Sequence, residues 1–273
     1  MKQVKYTQAD LQLLEHLMTF KYLTMAQMIK LKVAKHKSSI HRIVKRLVSG
    51  DKPLLNKLSF AIDPIKGRLA DVYYLSRDGA KFLSEYLLIP INEIEYPREA
   101  NAYFKDYFHR ILTIDYHIKV FNYAKEYNLE IVFFHRYFDK IGSNRTKNPN
   151  NKLRAKTRVD LENGDFFIPD INYMLIDEDG NKQLFTVEIH RGKDIKRALN
   201  QIEQHLIALE EGAVTEKYNL IDEKVPYSVV FMFEFEEIKE RVRKRFYEIE
   251  ELESFREYFE FINLNNFHTK EIK

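Results

Sequence analysis

Apolar and polar positions alternate along this chain in two regimes, helical periodicity first and mixed strand and helix afterwards. Behind Thr7, a good N-cap, Leu11, Leu14, Leu17 and Met18 mark one face of a first helix over Thr7–Thr19. Thr24 caps a second, short helix, MAQMIKL, with Met25, Met28 and Ile29 expected inward. After a turn at Lys32–Lys37, SSIHRIVKRLV sets Ile40, Ile43, Val44 and Leu47 on one face, and Ser39, His41, Arg42, Lys45 and Arg46 on the other. Three short helices in this order predict a helix-turn-helix whose third member reads DNA. PLLNKLSFAID and DVYYLS read as strands about a turn at Pro64–Gly67, as in the wing of a winged helix, and RDGAKFLSEYLL supplies a closing helix.

Ile89–Arg98, with two prolines, reads as a linker. A long helix follows, its stripe built by Phe104, Tyr107, Phe108, Ile111, Ile114, Ile118 and Phe121. Then come the strand LEIVFFHRYF, a loop rich in Asn and Lys, the strands FFIPDINYMLI and LFTVEIHR, and a helix carrying Ile195, Leu199, Ile202, Leu206 and Leu209. The strand PYSVVFMFEF, the helix IKERVRKRFYEIEELES and a last strand, YFEFINL, complete the order. The predicted fold is α+β or α/β: a winged helix over 1–90, a linker over 91–98 and an α/β layer domain over 99–273.

Charge sharpens this picture. The net charge of the 273 residues is only +3, but Met1–Phe60 holds 12 basic and 3 acidic residues, an excess of nine. Lys140–Arg158 holds seven basic residues, among them Arg145, Lys147, Lys152 and Arg154, and no acid. Two basic zones on a nearly neutral chain suit phosphate contacts. The candidate DNA contacts are Lys35, Lys37, Ser38, Ser39, His41, Arg42, Lys45 and Arg46 around the third helix, Lys66 and Arg68 in the wing, and the loop cations; a solvated surface is the plainer reading of each. There is no Cys, which excludes disulfides and thiolate-held metals and agrees with a cytoplasmic setting. MKQVKYTQAD has no apolar run behind its charges and no stretch reaches about 18 apolar residues, so neither a signal peptide nor a membrane partner is expected. None of the eight glycines forms a GxGxxG or GxxxxGK[ST] loop, which argues against a nicotinamide enzyme or an ATPase.

The candidate chemistry lies between Phe166 and Arg191. Asp170 follows FFIP and Glu188 follows LFTV, and a hairpin sets strand residues this far apart side by side. Two carboxylates converging at a sheet end suit a hard cation, Mg²⁺ or Mn²⁺; two strand-end acids facing water are the bland alternative.

The order of elements, with Pro169–Asp170 on one strand and Glu188-Ile189-His190 on the next, resembles the PD-(D/E)xK nuclease fold. His190 stands where that pattern has Lys, and Lys193 is the nearest Lys downstream. Nearly the whole chain is similar to the plasmid replication-relaxation family, which includes MobC-type relaxases, through FKYLTMAQMIKL, RIVKRLV, VYYLSRDGAKFL, FHRILTID, IPD and VEIHRGKDIKRAL. The resemblance implies a winged helix that finds a plasmid origin on double-stranded DNA, followed by a restriction-endonuclease-like domain that nicks one strand. Asp170 and Glu188 would be its metal ligands, with His190 and Lys193 beside them as catalytic residues. His109 matches a family His and has no derived role. A non-catalytic replication initiator, relaxosome accessory factor or regulator with a degenerate nuclease domain is the alternative. Other relaxosome proteins and a second copy of the chain are the further partners this reading admits.

Overall fold

The computed structural model describes residues 6–97, 106–143, 145, 146, 148, 151–223 and 225–264. It is a mixed α and β chain that divides into two compact units, Met1–Ile118 and Lys119–Lys273.

In the first unit, α1 (Gln8–Phe20) and α2 (Met25–Lys30) each begin with a reciprocal capping box, Thr7 with Asp10 and Thr24 with Gln27. Between them lies β1 (Leu23–Thr24), and α3 (Lys37–Val48) follows. The strands β2 (Leu55–Leu58) and β5 (Val72–Leu75) pair antiparallel with β5 at the centre of a β1-β5-β2 sheet. A two-residue pair, β3 (Ile62–Asp63) and β4 (Gly67–Arg68), projects between them. Its turn is closed by the Asp63 carboxylate, which accepts from the backbone of Ile65 (2.9 Å) and Lys66 (2.7 Å). The helix α4 (Arg77–Leu87) closes this unit's core of Leu13, Leu14, Leu17, Phe20, Leu47 and Leu83.

Two expectations change here. Ile29 is exposed and Gln27 is buried in its place, because the Gln27 amide donates to Asp115 (3.0 Å) and to the Ile111 carbonyl (3.3 Å). Those partners belong to α5 (Tyr107–Glu126), which was expected to open the second domain; the division between the units falls inside this helix, not at residues 91–98. Tyr107 donates to the Ala70 carbonyl (3.1 Å), and Lys30 pairs with Asp115 (3.0 Å), so its first turns are tied to the first unit.

Gly79 shows how tightly this unit is closed. Its amide donates to the α4 N-cap Ser76 (2.9 Å), and a Cβ built there would lie 2.0 Å from the Leu54 carbonyl oxygen. Gly79→Ala is expected to destabilise the chain by roughly 3 kcal/mol, near the upper end for overpacking. Urea unfolding of the variant checks this; an unchanged midpoint would show that Leu54 can withdraw at no cost.

The second unit is built on a five-stranded sheet ordered β14-β13-β12-β11-β6. Here β6 is Glu130–Arg136, β11 Ile171–Ile176, β12 Lys182–His190, β13 Tyr227–Phe233 and β14 Phe259–Asn263. The β6, β11 and β12 strands pair antiparallel; α6 (Ile195–Glu210) and α8 (Glu236–Glu248) are the crossovers that let β12, β13 and β14 run parallel. Every residue of β12 from Leu184 to His190 is buried, as a central strand covered on both faces requires. Val229, Phe231 and Phe233 of β13 pack with Ala198 and Ile202 of α6 and Val242 and Phe246 of α8. The expected loop over 140–158 is shorter than predicted at its ends. One two-residue pair, β7 (Lys140–Ile141) with β8 (Arg154–Ala155), joins its ends, and a second, β9 (Val159–Asp160) with β10 (Phe166–Phe167), follows it. A short helix α7 (Ala213–Lys217) was also not foreseen. No helix among the described residues is long and apolar enough to cross a membrane.

Candidate functional site

Two sets of sequence-predicted residues come together, one in each unit. On α3, Ile40, Ile43, Val44 and Leu47 are buried, and Lys37, Ser38, His41, Arg42 and Lys45 are exposed on the opposite face, with Lys35 exposed just before the helix and Ser39 half-buried. Arg42 is held loosely, donating to the Ser39 hydroxyl at 3.3 Å. Arg46 differs from its neighbours: its guanidinium bonds the fully buried Asp10 and ties α3 to the capping box of α1. This bond gives Arg46 a structural contact that the exposed-face pattern could not reveal. Lys37 and Arg68 line one groove of about 400 Å³ with Met25 and Ile29. Lys66 is turned onto the ring of Phe108, 4.4 Å from its centroid. His109 lies in the first unit and contributes its carbonyl to Thr113 (2.9 Å).

In the second unit the hairpin does what its spacing predicted. The β11–β12 register pairs Ile171 with Val187, so Asp170, one residue before the strand, falls opposite Glu188. Asp170 is anchored there: its Oδ2 accepts from the Ile189 amide (2.7 Å), and its carbonyl accepts from the Tyr137 amide (2.9 Å). His190 shares the Glu188 face, two residues along the strand, with its ring stacked on Phe233 (4.9 Å) and Phe231 (5.5 Å).

Glu188 is 1% exposed and both of its oxygens are occupied. Gln201 Nε2 donates to Oε2 at 2.6 Å, and His205 Nε2 lies 3.0 Å from Oε1. The Tyr227 hydroxyl lies 3.4 Å from His205 Nδ1, so both ring nitrogens face polar partners. Burial pushes the Glu188 carboxyl well above its ordinary range, the Asp170 charge adds to this, and Arg197 works against it. Burial lowers His205 to about 3, with His190 adding to the effect. His205 is therefore neutral at pH 7, and the Glu188 carboxyl is shifted toward its protonated form.

Arg197, Gln201 and His205 stand at four-residue steps on α6 and were not singled out from the sequence. Their signal was legible as a polar row beside the apolar stripe of Ala198 and Ile202, but such rows usually face water. Lys193 goes elsewhere, pairing with Glu237 (3.1 Å) and lying over Phe235. Among the described residues no group of three His, Asp or Glu converges to hold a metal ion. A divalent cation at Glu188 would have to displace Gln201 and His205, so this arrangement does not fit one as it stands.

Of the basic loop, Arg145, Lys152 and Arg154 are exposed, Arg154 pairing with Asp160 (3.5 Å), and Lys147 lies outside the described residues. Comparison with family models, with curated proteins and with solved structures finds no match.

Proposed function

We propose that this chain is a sequence-selective double-stranded DNA-binding protein, with α3 as a major-groove helix and the β3–β4 hairpin as its wing. The observation that carries this reading is the exposed row Lys37, Ser38, His41, Arg42 and Lys45 on a helix whose other face is wholly buried. Arg42 has the planar donor pair that guanine O6 and N7 accept, and Lys37, Lys45 and Arg68 supply phosphate contacts that set register. The test is duplex selection from a random pool followed by anisotropy titration at several salt concentrations. Recovery of one consensus bound with a steep salt dependence is expected; binding of all duplexes alike would remove the reading role of α3.

A second reading, a metal-dependent nickase of a plasmid origin with a restriction-endonuclease-like domain, is favoured by one observation, Asp170 standing opposite Glu188. Against it, Gln201 and His205 occupy the Glu188 oxygens, and Lys193 is paired with Glu237. The chain alone is therefore expected to leave supercoiled cognate plasmid intact with Mg²⁺ or Mn²⁺. Metal-dependent open-circle product, lost in Glu188→Gln, would reverse this and make the acid pair a nicking centre.

A further inference from the structure

The outward face of α4 combines exposed apolar surface with a strained backbone, and the reading of α3 uses neither. Tyr86, Leu88 and Ile91 are exposed, Leu88 at 89%. The half-buried Phe82 stacks on Tyr86 (6.4 Å between centroids, 3° between planes) and meets Tyr6 edge-on at 4.7 Å. Leu88 is the C-cap of α4 and holds φ 57°, ψ 37°, in the left-handed region. Among the described residues the other non-glycine residues with positive φ are Lys21, Lys32, Asn128 and Asn219, all polar. Helices that end in this conformation ordinarily do so on Gly or Asn.

Ser84 fixes the turn. Its carbonyl accepts from the Leu88 amide and from the Ile89 amide (3.2 Å), and its hydroxyl donates to the Ile89 carbonyl (2.6 Å). A leucine is thus held outward, in water, in a conformation that its Cβ makes unfavourable. Burial against a second apolar surface would offset both costs.

The charges of α4 select the occupant. Arg77, Lys81 and Glu85 are exposed, and Asp78 is half-buried. Lys81 and Glu85 stand one helical turn apart, and neither makes an ion pair with another described residue. Two cations and two acids leave the face without net charge, so it suits neither a nucleic acid nor a strongly charged protein. It suits a copy of itself. An antiparallel pair of α4 helices about a twofold axis between Lys81 and Glu85 sets each Lys81 against the other copy's Glu85, the reciprocity that a twofold interface requires. The same pairing carries each Leu88 toward the first turn of the facing helix.

We propose that α4 is the dimer interface of this chain, packing on the α4 of a second copy. Tyr86 and Leu88 are buried between the two, and Lys81 pairs with Glu85 across the axis. The proposal does not depend on the DNA-reading role of α3.

The test is sedimentation equilibrium of the full chain over roughly 1–100 µM, since a reversible dimer is read from its concentration dependence. A dimer is expected. Leu88→Gly should raise its Kd roughly a hundredfold, because two leucine side chains leave the interface. Glycine accepts the left-handed turn without strain, so this variant keeps the fold while losing the contact. Lys81→Glu and Glu85→Lys should each raise Kd about tenfold, because each sets two pairs of like charges across the axis. The double exchange Lys81→Glu/Glu85→Lys should return Kd to the wild-type value. A wild-type chain that stays monomeric throughout overturns the proposal. So does a dimer that keeps its Kd in Leu88→Gly, or a double exchange that dimerises no better than the single variants.

Discussion

Replacing Arg42 and Lys45 together with alanine is expected to lower affinity for the selected duplex by roughly 10²- to 10³-fold and to leave Tm unchanged. Both side chains are exposed, and the face of α3 that builds the core carries neither. A bidentate arginine–guanine pair discriminates by about 1–3 kcal/mol, a phosphate contact adds to it, and about 1.4 kcal/mol is tenfold in affinity. The salt slope should flatten as well, by about 0.9 for each phosphate that the variant leaves unneutralised. Arg46→Ala is the informative contrast, because its partner Asp10 is fully buried. Removing the guanidinium leaves that carboxylate without its cation, so this variant should lose roughly 1–3 kcal/mol of stability, discounted because Arg46 itself is partly exposed. Anisotropy and urea unfolding on the three proteins separate reading from folding. Undiminished affinity in Arg42→Ala/Lys45→Ala would move the DNA interface off α3.

The second large effect is a pH dependence of stability centred on His205 and Glu188. Folded His205, lowered from 6.5 to about 3, refuses a proton that the unfolded chain takes up below 6.5. Its contribution is complete above pH 6.5 and is lost as pH falls toward 3, at about 1.4 kcal/mol per unit and roughly 4–5 kcal/mol in all. Glu188 has the opposite sign. Folded, it keeps a proton that the unfolded chain releases above its ordinary 4.5, so acidification toward 4.5 stabilises the fold through this group. From the raised Glu188 titration down to pH 4.5 the Glu188 slope opposes that of His205, and below 4.5 only the His205 loss continues. Glu188→Gln, which lacks the opposing slope, should therefore lose more stability than the wild type between pH 6.5 and 4.5, and His205→Asn should gain stability on mild acidification. Urea unfolding across pH 3.5–8 (buffers on the order of 0.5 unit apart) reads the slopes directly. Equal slopes in wild type and Glu188→Gln would show that the two groups do not titrate as this geometry requires.

The periodicities of the chain carried the element order well. The α3 stripe, the β5 and β12 runs and the crossover helix α6 lie where the patterns of apolar residues set them, because burial of those residues is what makes each element. Periodicity failed where a polar side chain took an inward position. Gln27 displaced Ile29 because partners 84 and 88 residues away satisfy its amide, and no local pattern contains them. The short strands β7, β8 and β9 around the basic loop were missed because two-residue strands carry no period at all.

The candidate sites divide along the same line. Asp170 and Glu188 could be brought together on paper, since an antiparallel hairpin relates its residues by a register that turn position sets. Arg42 and Lys45 were legible as the polar side of an amphipathic helix. Which groups then touch those residues was not legible. Gln201 and His205 approach Glu188 from a helix that crosses over the sheet, Lys193 turns away to Glu237, and Arg46 is drawn to Asp10. The sequence by itself therefore determined the helices and strands, the carboxylate pair and the basic face, all consequences of periodicity and short-range register. Only the tertiary structure decided that Glu188 is buried, with both oxygens occupied, and that Lys217 and Arg154 share a cavity. Desolvation and long-range hydrogen bonds depend on which elements meet, and that is settled by the packing of the whole unit.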